Sequence, residues 1–235
     1  MEIEIWNDAT KAIVDPEGGY LTNLSDDKGD ILFPKRTLKT EEGIAKKRGG
    51  SHVCLPNFGP GGVTGQAQHG FGRESVWEVT DKTDSSILLT LTNGPDGYRH
   101  LNSVLTYQLG SKRLMMTLEL TNNGGSDLRV APAFHPYFAL LGGSAVLDDE
   151  KQALNELGEA QFFTGDIHRL QLEKRTITLQ STGLPMWVKW TDQLGDYLCI
   201  EPSQNGFAFL EEKPGEGELL RPDEIKTYSF TITWN

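Results

Sequence analysis

Cysteine is scarce in this 235-residue chain: Cys54 and Cys199 are the two, far apart and each in an apolar run. That excludes a disulfide scaffold and leaves buried free thiols in a reducing compartment as the expectation. Basic residues are in deficit, 22 Lys and Arg against 33 Asp and Glu, for a formal net charge of −11. Binding along a nucleic acid, or on an anionic membrane, requires a basic surface, so neither partner is expected. A small phosphorylated ligand stays open, because one or two arginines can reverse the field inside a pocket. Long apolar runs are also missing. No stretch reaches the roughly 18 residues of a membrane helix, and residues 1–20 carry Glu2, Glu4 and Asp8 without the apolar core of a signal peptide. A cytoplasmic protein is expected.

Several chemical signatures are absent as well. There is no P-loop and no Gly-x-Ser-x-Gly elbow, and Gly70-Phe71-Gly72 lacks the third glycine of a dinucleotide site. The five histidines, His52, His69, His100, His135 and His168, lack paired metal-ligand spacing, and no cysteine pair supports them. No metal and no cofactor are therefore expected.

Helical periodicity is scarce. The acidic run Asp148–Leu157 is its best instance, enough for a surface turn or two. What the chain does hold is 5 Trp, 6 Tyr and 10 Phe, far more than a disordered chain carries. Short alternating segments dominate: Glu2–Trp6, Tyr20–Leu24, Ile31–Phe33, Val76–Thr80, Ser86–Thr92, Asn102–Gln108 and Leu114–Thr121. Further along come Leu128–Pro132, Thr176–Gln180, Met186–Trp190, Tyr197–Glu201, Gly206–Leu210 and Lys226–Trp234. Turn residues separate them, and Asn122-Asn123-Gly124-Gly125 reads as a hairpin between its flanking strands. A dozen or more strands with almost no helix predict an all-β fold, a large antiparallel β-sandwich. No linker or repeat divides the chain, so residues 1–235 are read as one domain. Gly43–Arg73 has little strand signal and much Gly and Pro. A loop of that length, carrying Arg48, His52, Cys54, Phe58, His69, Phe71 and Arg73, is expected to be functional.

Three residues stand out within apolar or aromatic words: His69 in Gln68-His69-Gly70, His135 in Phe134-His135-Pro136-Tyr137-Phe138, and Glu201 in Cys199-Ile200-Glu201-Pro202. His135 and Glu201 are placed at the ends of strand-like runs, where a charged group is costly to bury without a partner. Each alone has a plain structural explanation: a hydrogen-bonded core histidine, a solvated strand end, a loop cap. Arg48 and Arg73 equally fit surface ion pairs. The residues by themselves end at a possible His/Glu acid–base pair beside a rich loop.

The words around those residues carry more. Arg48-Gly49-Gly50, Cys54-Leu55-Pro56-Asn57-Phe58-Gly59-Pro60, Gln68-His69-Gly70-Phe71-Gly72-Arg73 with Trp77, His135-Pro136-Tyr137-Phe138, and the segment from Glu201-Pro202 to Leu220-Arg221-Pro222-Asp223-Glu224 occur in one order. The chain resembles the galactose mutarotase-like, or aldose 1-epimerase, superfamily, and within it the short members related to glucose-6-phosphate 1-epimerase. The resemblance implies a β-supersandwich with a sugar cleft on one face. It gives His135 the role of general acid, Glu201 that of general base, and His69 that of a second histidine polarising the ring oxygen. It gives Arg73 and Arg48 contacts to a sugar phosphate, and leaves Phe71, Tyr137 and Phe138 as aromatic faces for the sugar.

The implied reaction opens a hemiacetal. A base takes the C1 hydroxyl proton while an acid protonates the ring oxygen, the aldehyde rotates, and the ring recloses. The implied partner is a small-molecule sugar or sugar phosphate, and a monomer or weak dimer is expected. The alternative on the same scaffold is a non-catalytic carbohydrate-binding or sugar-sensing protein. Three departures from the family pattern stand in the sequence, one of them a short chain that implies trimmed cleft-wall loops and relaxed specificity. Ser51-His52 replaces the usual proline segment. In Phe163-Thr164-Gly165-Asp166-Ile167-His168-Arg169 the sugar-contacting Asp is replaced by His168, with Asp166 as its possible substitute.

Overall fold

The alternating segments form strands in a computed structural model that describes residues 1–61, 64–206 and 219–235. The first half of the chain holds β1 (Ile3–Asn7), β2 (Thr10–Asp15), β3 (Tyr20–Asp26), β4 (Gly29–Leu32), β5 (Arg36–Lys39), β6 (Ala45–Arg48), β7 (Ser51–Cys54), β8 (Glu78–Lys82), β9 (Ser86–Leu91), β10 (Leu101–Gly110) and β11 (Arg113–Asn122). The second half holds β12 (Leu128–Arg129), β13 (Ala133–Ala139), β14 (Val146–Leu147), β15 (Glu150–Lys151), β16 (Gln161–Thr164), β17 (Ile167–Gln171), β18 (Thr176–Thr182), β19 (Met186–Trp190), β20 (Tyr197–Ser203), β21 (Leu219–Leu220) and β22 (Ile225–Trp234). The acidic run Asp148–Leu157 contributes β15 and one short 3-10 turn, Leu154–Glu156. The strand expected at Gly206–Leu210 lies, beyond Gly206, outside the described residues.

Two nine-stranded antiparallel sheets carry the architecture, as the sequence predicts. One runs β1-β2-β3-β4-β13-β20-β19-β16, with β7 paired to β13 and β3; the other runs β15-β14-β17-β18-β22-β11-β10-β9-β8. The second sheet obeys the two-residue period. Leu101, Ser103, Leu105, Tyr107 and Leu109 of β10, and Leu114, Met116, Leu118 and Leu120 of β11, are buried while the residues alternating with them are not. A face of that kind needs a second sheet to cover it. Phe134 meets Phe230 at 6.1 Å between ring centroids, Trp187 meets Phe230 at 5.8 Å, and the Tyr107 hydroxyl donates to the Gly19 carbonyl at 2.6 Å. Burying each such Leu or Phe contributes about 1.5–3 kcal/mol, so this interior is what holds the sheets together.

β13 and β20 are different, because every residue of both is buried. Phe134, Phe138, Leu198 and Ile200 enter the main core, while Ala133, Tyr137 and Cys199 belong to separate clusters on the opposite face. That outer face is covered by Phe58, from the segment after β7, and by Phe33 and Leu38, before and within β5.

Three expectations need correction. Gly43–Arg73 is not one long loop, since it contains β6 and β7. The hairpin read at Asn122–Gly125 does not form: both edges of β11 are taken by β10 and β22, and β12 pairs with β21 instead. His135 lies in the middle of β13, not at a strand end, and Glu201 lies inside β20. Strands covered on both faces show no alternation, which is why their length was not legible.

Candidate active site

Strand periodicity assembles the site. On β13, His135 faces away from Phe134 and Phe138. Its cross-strand partner on β7 is His52, and Ala133 pairs with Cys54. On the other side, Ala133 pairs with Ser203 and Tyr137 with Cys199, a register that sets His135 opposite Glu201. A cleft of about 360 Å³ opens on this face, with His69, Arg48 and Arg73 in its walls alongside His135 and Glu201. A second lobe of about 640 Å³ shares His69, Arg48 and Arg73 and adds Lys35, Lys46 and Lys47. In a chain of net charge −11, this is a locally basic hollow. Both volumes fall within or near the roughly 300–1,000 Å³ usual for small-ligand pockets.

Backbone geometry at two glycine positions frames the cleft. Gly50 has φ +65°, and a Cβ there would stand 2.1 Å from the Leu21 carbonyl oxygen. Gly70 has φ +63° and would meet the Leu55 carbonyl oxygen at 2.0 Å. No larger residue fits either turn. His69, just before Gly70, itself adopts φ +68°, a region that costs a non-glycine residue of order 1–3 kcal/mol. The bonds from the His69 amide to Phe58 O and from the Leu55 amide to His69 O hold it there.

Nε2 of His135 lies 3.3 Å from Oε2 of Glu201, and both side chains are almost fully buried. Burial pushes the Glu201 carboxyl well above its ordinary range. Burial, with the charges of neighbouring histidines and of Arg73 and Arg48, pushes His135 well below its own. Both shifts favour uncharged forms, so the pair holds one proton between two sites. The His135 ring is stacked between His52 at 4.8 Å and Tyr137 at 4.7 Å, which fixes its plane. His69 meets it edge-on at 5.0 Å. Burial and the nearby Arg73 and Arg48 lower His69 to about 3, so it is neutral at physiological pH.

The two arginines are held differently. Arg48 donates from Nε to Asp192 Oδ2 at 2.7 Å and lies over the Trp190 ring at 5.4 Å. Burial opposes its charge, yet the Asp192 bond and the surrounding acidic groups hold it above its ordinary pKa. Arg73 donates from Nη2 to the Gln68 carbonyl at 3.4 Å and has Glu74 at 3.4 Å from Nε. Both line the cleft and both carry an ion-pair partner.

His135, Glu201, His69, Arg73 and Arg48 are thus brought to one cleft. Phe71 is not among its lining residues; it packs against Tyr98 at 5.6 Å and the core behind. Asp166 stands exposed on the turn between β16 and β17, also outside the lining. His168 is buried, with Nδ1 2.5 Å from Asp148 Oδ2 and its ring against Trp187, which is a structural use. Of the other aromatics, Tyr137 lines the cleft, and Phe138 is core. Sequence reading gave no role to Gln68, Trp190 or His52. The one available signal is the spacing of His52 two residues before Cys54, which on a strand puts both on one face.

A Cenchrus ciliaris protein provisionally named glucose-6-phosphate 1-epimerase is 26% identical over 260 residues, covering 85% of this chain and 76% of its own. A Synechocystis protein of known crystal structure superposes with a TM-score of 0.82 at 19% identity, covering 100% of this chain and 96% of the other. A galactose mutarotase-like protein from Lactobacillus casei gives 0.81 at 15% identity over 100% of both chains. At such identities the structural likeness shows the fold alone. Residues 1–194 match the family described as aldose 1-epimerase, and the chain belongs to that family of isomerases.

Proposed function

We propose that this enzyme interconverts the α and β anomers of a hexose that carries a phosphate. The observation that carries the reading is the buried, uncommitted approach of His135 and Glu201 in a cleft that also holds two guanidinium groups. The relative named for glucose-6-phosphate epimerisation and the basic second lobe support a phosphorylated substrate over a neutral one.

In the closed-sugar complex Glu201 takes the proton of the C1 hydroxyl, and His135 delivers one to the ring oxygen. The C1–ring oxygen bond breaks and the aldehyde forms. Rotation about C1–C2 exposes the other face; as the ring recloses, Glu201 returns its proton to the aldehyde oxygen and His135 takes one back from the attacking hydroxyl. The open-chain stage leaves Glu201 protonated and His135 neutral, the uncharged state that burial favours. The dry environment therefore lowers the intermediate relative to the charged pair. Neutral His69 donates a hydrogen bond near the ring oxygen, and Arg73 and Arg48 hold the phosphate.

The test is NMR exchange spectroscopy on purified enzyme with glucose 6-phosphate, glucose and galactose. Acceleration over buffer is expected, with the largest kcat/KM for the phosphorylated sugar. Calorimetric binding of these sugars with no acceleration for any of them overturns the reading in favour of a carbohydrate-binding protein.

A further inference from the structure

The same face carries a donor set of which the proton chemistry uses one member, His69, and leaves His52 and Cys54 unused. His52 and Cys54, two apart on β7, share one side of the strand, and His69 reaches them from the segment that follows. Sγ of Cys54 and one ring nitrogen of each histidine lie within 4.8 Å of one another. Sγ and Nδ1 of His69 are already 3.3 Å apart. Tetrahedral zinc, with bonds of about 2.3 Å to sulfur and 2.0–2.1 Å to nitrogen, wants its donors about 3.5 Å apart, so the third closes with a shift of about 1 Å.

The two nitrogens of His52 are unequal. The Tyr20 hydroxyl donates its single proton to the Gly49 carbonyl at 3.1 Å, so toward Nδ1 of His52, at 3.2 Å, it accepts. The ring proton therefore sits on Nδ1. Nε2 is left as a bare lone pair on a side chain only 2% exposed, with no hydrogen-bond partner among the described residues. Metal-bound histidines are oriented in this manner, by a protein acceptor on the second ring nitrogen. Burial holds both His52 and His69 neutral, the form that ligates.

We propose that His52, Cys54 and His69 bind a thiophilic cation of the Zn²⁺ class, and that the bound ion inhibits the enzyme by taking His69 away from the sugar. The inhibitory half rests on the mutarotase reading; the binding half does not. The trio offers no oxygen donor, and Arg73 and Arg48 set a positive potential on its histidines. Both features disfavour Mg²⁺ and Ca²⁺. A thiolate offsets that potential. Cys54 ligates as the thiolate, the form in which sulfur binds such an ion. A second trio, His135, Cys199 and Glu201, meets the same distance limit, but two of its members are the proposed acid–base pair.

Co²⁺ titrated into metal-free protein reports the site by its thiolate charge-transfer and visible bands, with Zn²⁺ as the displacing ion. One equivalent is expected, displaced by Zn²⁺. The thiolate band is lost in Cys54→Ser and Cys54→Ala and retained in Cys199→Ser; affinity falls at least tenfold in His52→Phe, which keeps an aromatic ring at that position. Near-UV circular dichroism checks that each variant is folded. Zn²⁺ inhibition, measured against each variant's own metal-free rate, disappears with Cys54→Ser. Absence of a thiolate band, or its loss in Cys199→Ser instead, overturns the site. Binding without inhibition overturns the inhibitory role alone. Binding by a protein that accelerates no anomer exchange refutes the mutarotase reading and leaves the metal site standing.

Discussion

Nε2 of His135 and Oε2 of Glu201 approach to 3.3 Å across adjacent strands without the alignment of a hydrogen bond, and Nδ1 of His135 has no partner among the described residues. Two buried groups that fail to satisfy each other are expensive to keep. They are also free to engage the two oxygens of a hemiacetal at once, which a fully satisfied pair is not.

Removing either group tests that role. Glu201→Gln and His135→Asn are each expected to lower kcat/KM by about 10²–10⁴-fold, the usual contribution of positioned proton transfer. Near-UV circular dichroism should match the parent protein. Activity within threefold of the parent in either variant contradicts the assignment.

The pH profile follows from the directions of the two shifts. The working pair carries one proton. Acid adds a second once the lowered His135 titrates, so the acid limb of kcat/KM lies below the ~6.5 of free imidazole. Base removes the first once the raised Glu201 ionises, so the alkaline limb lies above the ~4.3 of a free glutamate. A bell with both limbs belonging to the pair is expected from initial rates across pH. A flat profile through neutrality with a single limb near 4 contradicts it.

Glu201→Gln should also separate function from stability. A carboxyl whose folded-state pKa is raised contributes its stability fully below the unfolded value, and that stability is lost as pH rises through the folded one. The amide escapes this loss. The variant should therefore be more stable than the parent above neutrality, by about 1–3 kcal/mol, with the difference shrinking toward pH 4. Urea denaturation at several pH values measures it, and a parent that is the more stable at alkaline pH rules the argument out.

Phosphate recognition predicts a split between substrates. Arg73→Ala should raise KM for glucose 6-phosphate about 10- to 100-fold, since a hydrogen bond to a charged group is worth ~1.5–3 kcal/mol. Kinetics on neutral glucose, and competition by inorganic phosphate in the variant, provide the contrast. Equal losses on both sugars would assign Arg73 to the ring or to the loop instead.

Away from the cleft, Arg175 donates to Asp26 at 3.1 Å and to the Gly29 carbonyl at 3.2 Å, with both charged side chains nearly inaccessible. This pair ties the β3–β4 turn of one sheet to the start of β18 in the other. Arg175→Ala strands a buried carboxylate and should cost about 3–5 kcal/mol. The double change Arg175→Met with Asp26→Asn should cost less, by thermal or urea unfolding.

Several strands with one covered face are readable because their alternation is written into the residues, although β2 and β17, which also alternate, are not among the segments the sequence points to. Asn102–Gln108 became β10, Leu114–Thr121 became β11, and Lys226–Trp234 became most of β22. β7 and the full length of β13 were not readable, since a strand buried on both faces loses its period. The short words around His69, His135 and Glu201 pointed to a family, but gave no distance between them.

The sequence by itself determined the class of fold and the chemical character of the site: two-residue periodicity demands paired sheets, and few residue types carry protons near neutrality. Tertiary structure alone decided which imidazoles meet. Strand register joins residues 52, 135 and 201 across a ladder, and a left-handed turn before Gly70 brings in His69. Phe71 and Asp166 were left outside for the same reason, because the direction in which a side chain points is set by the backbone around it and not by its neighbours in sequence.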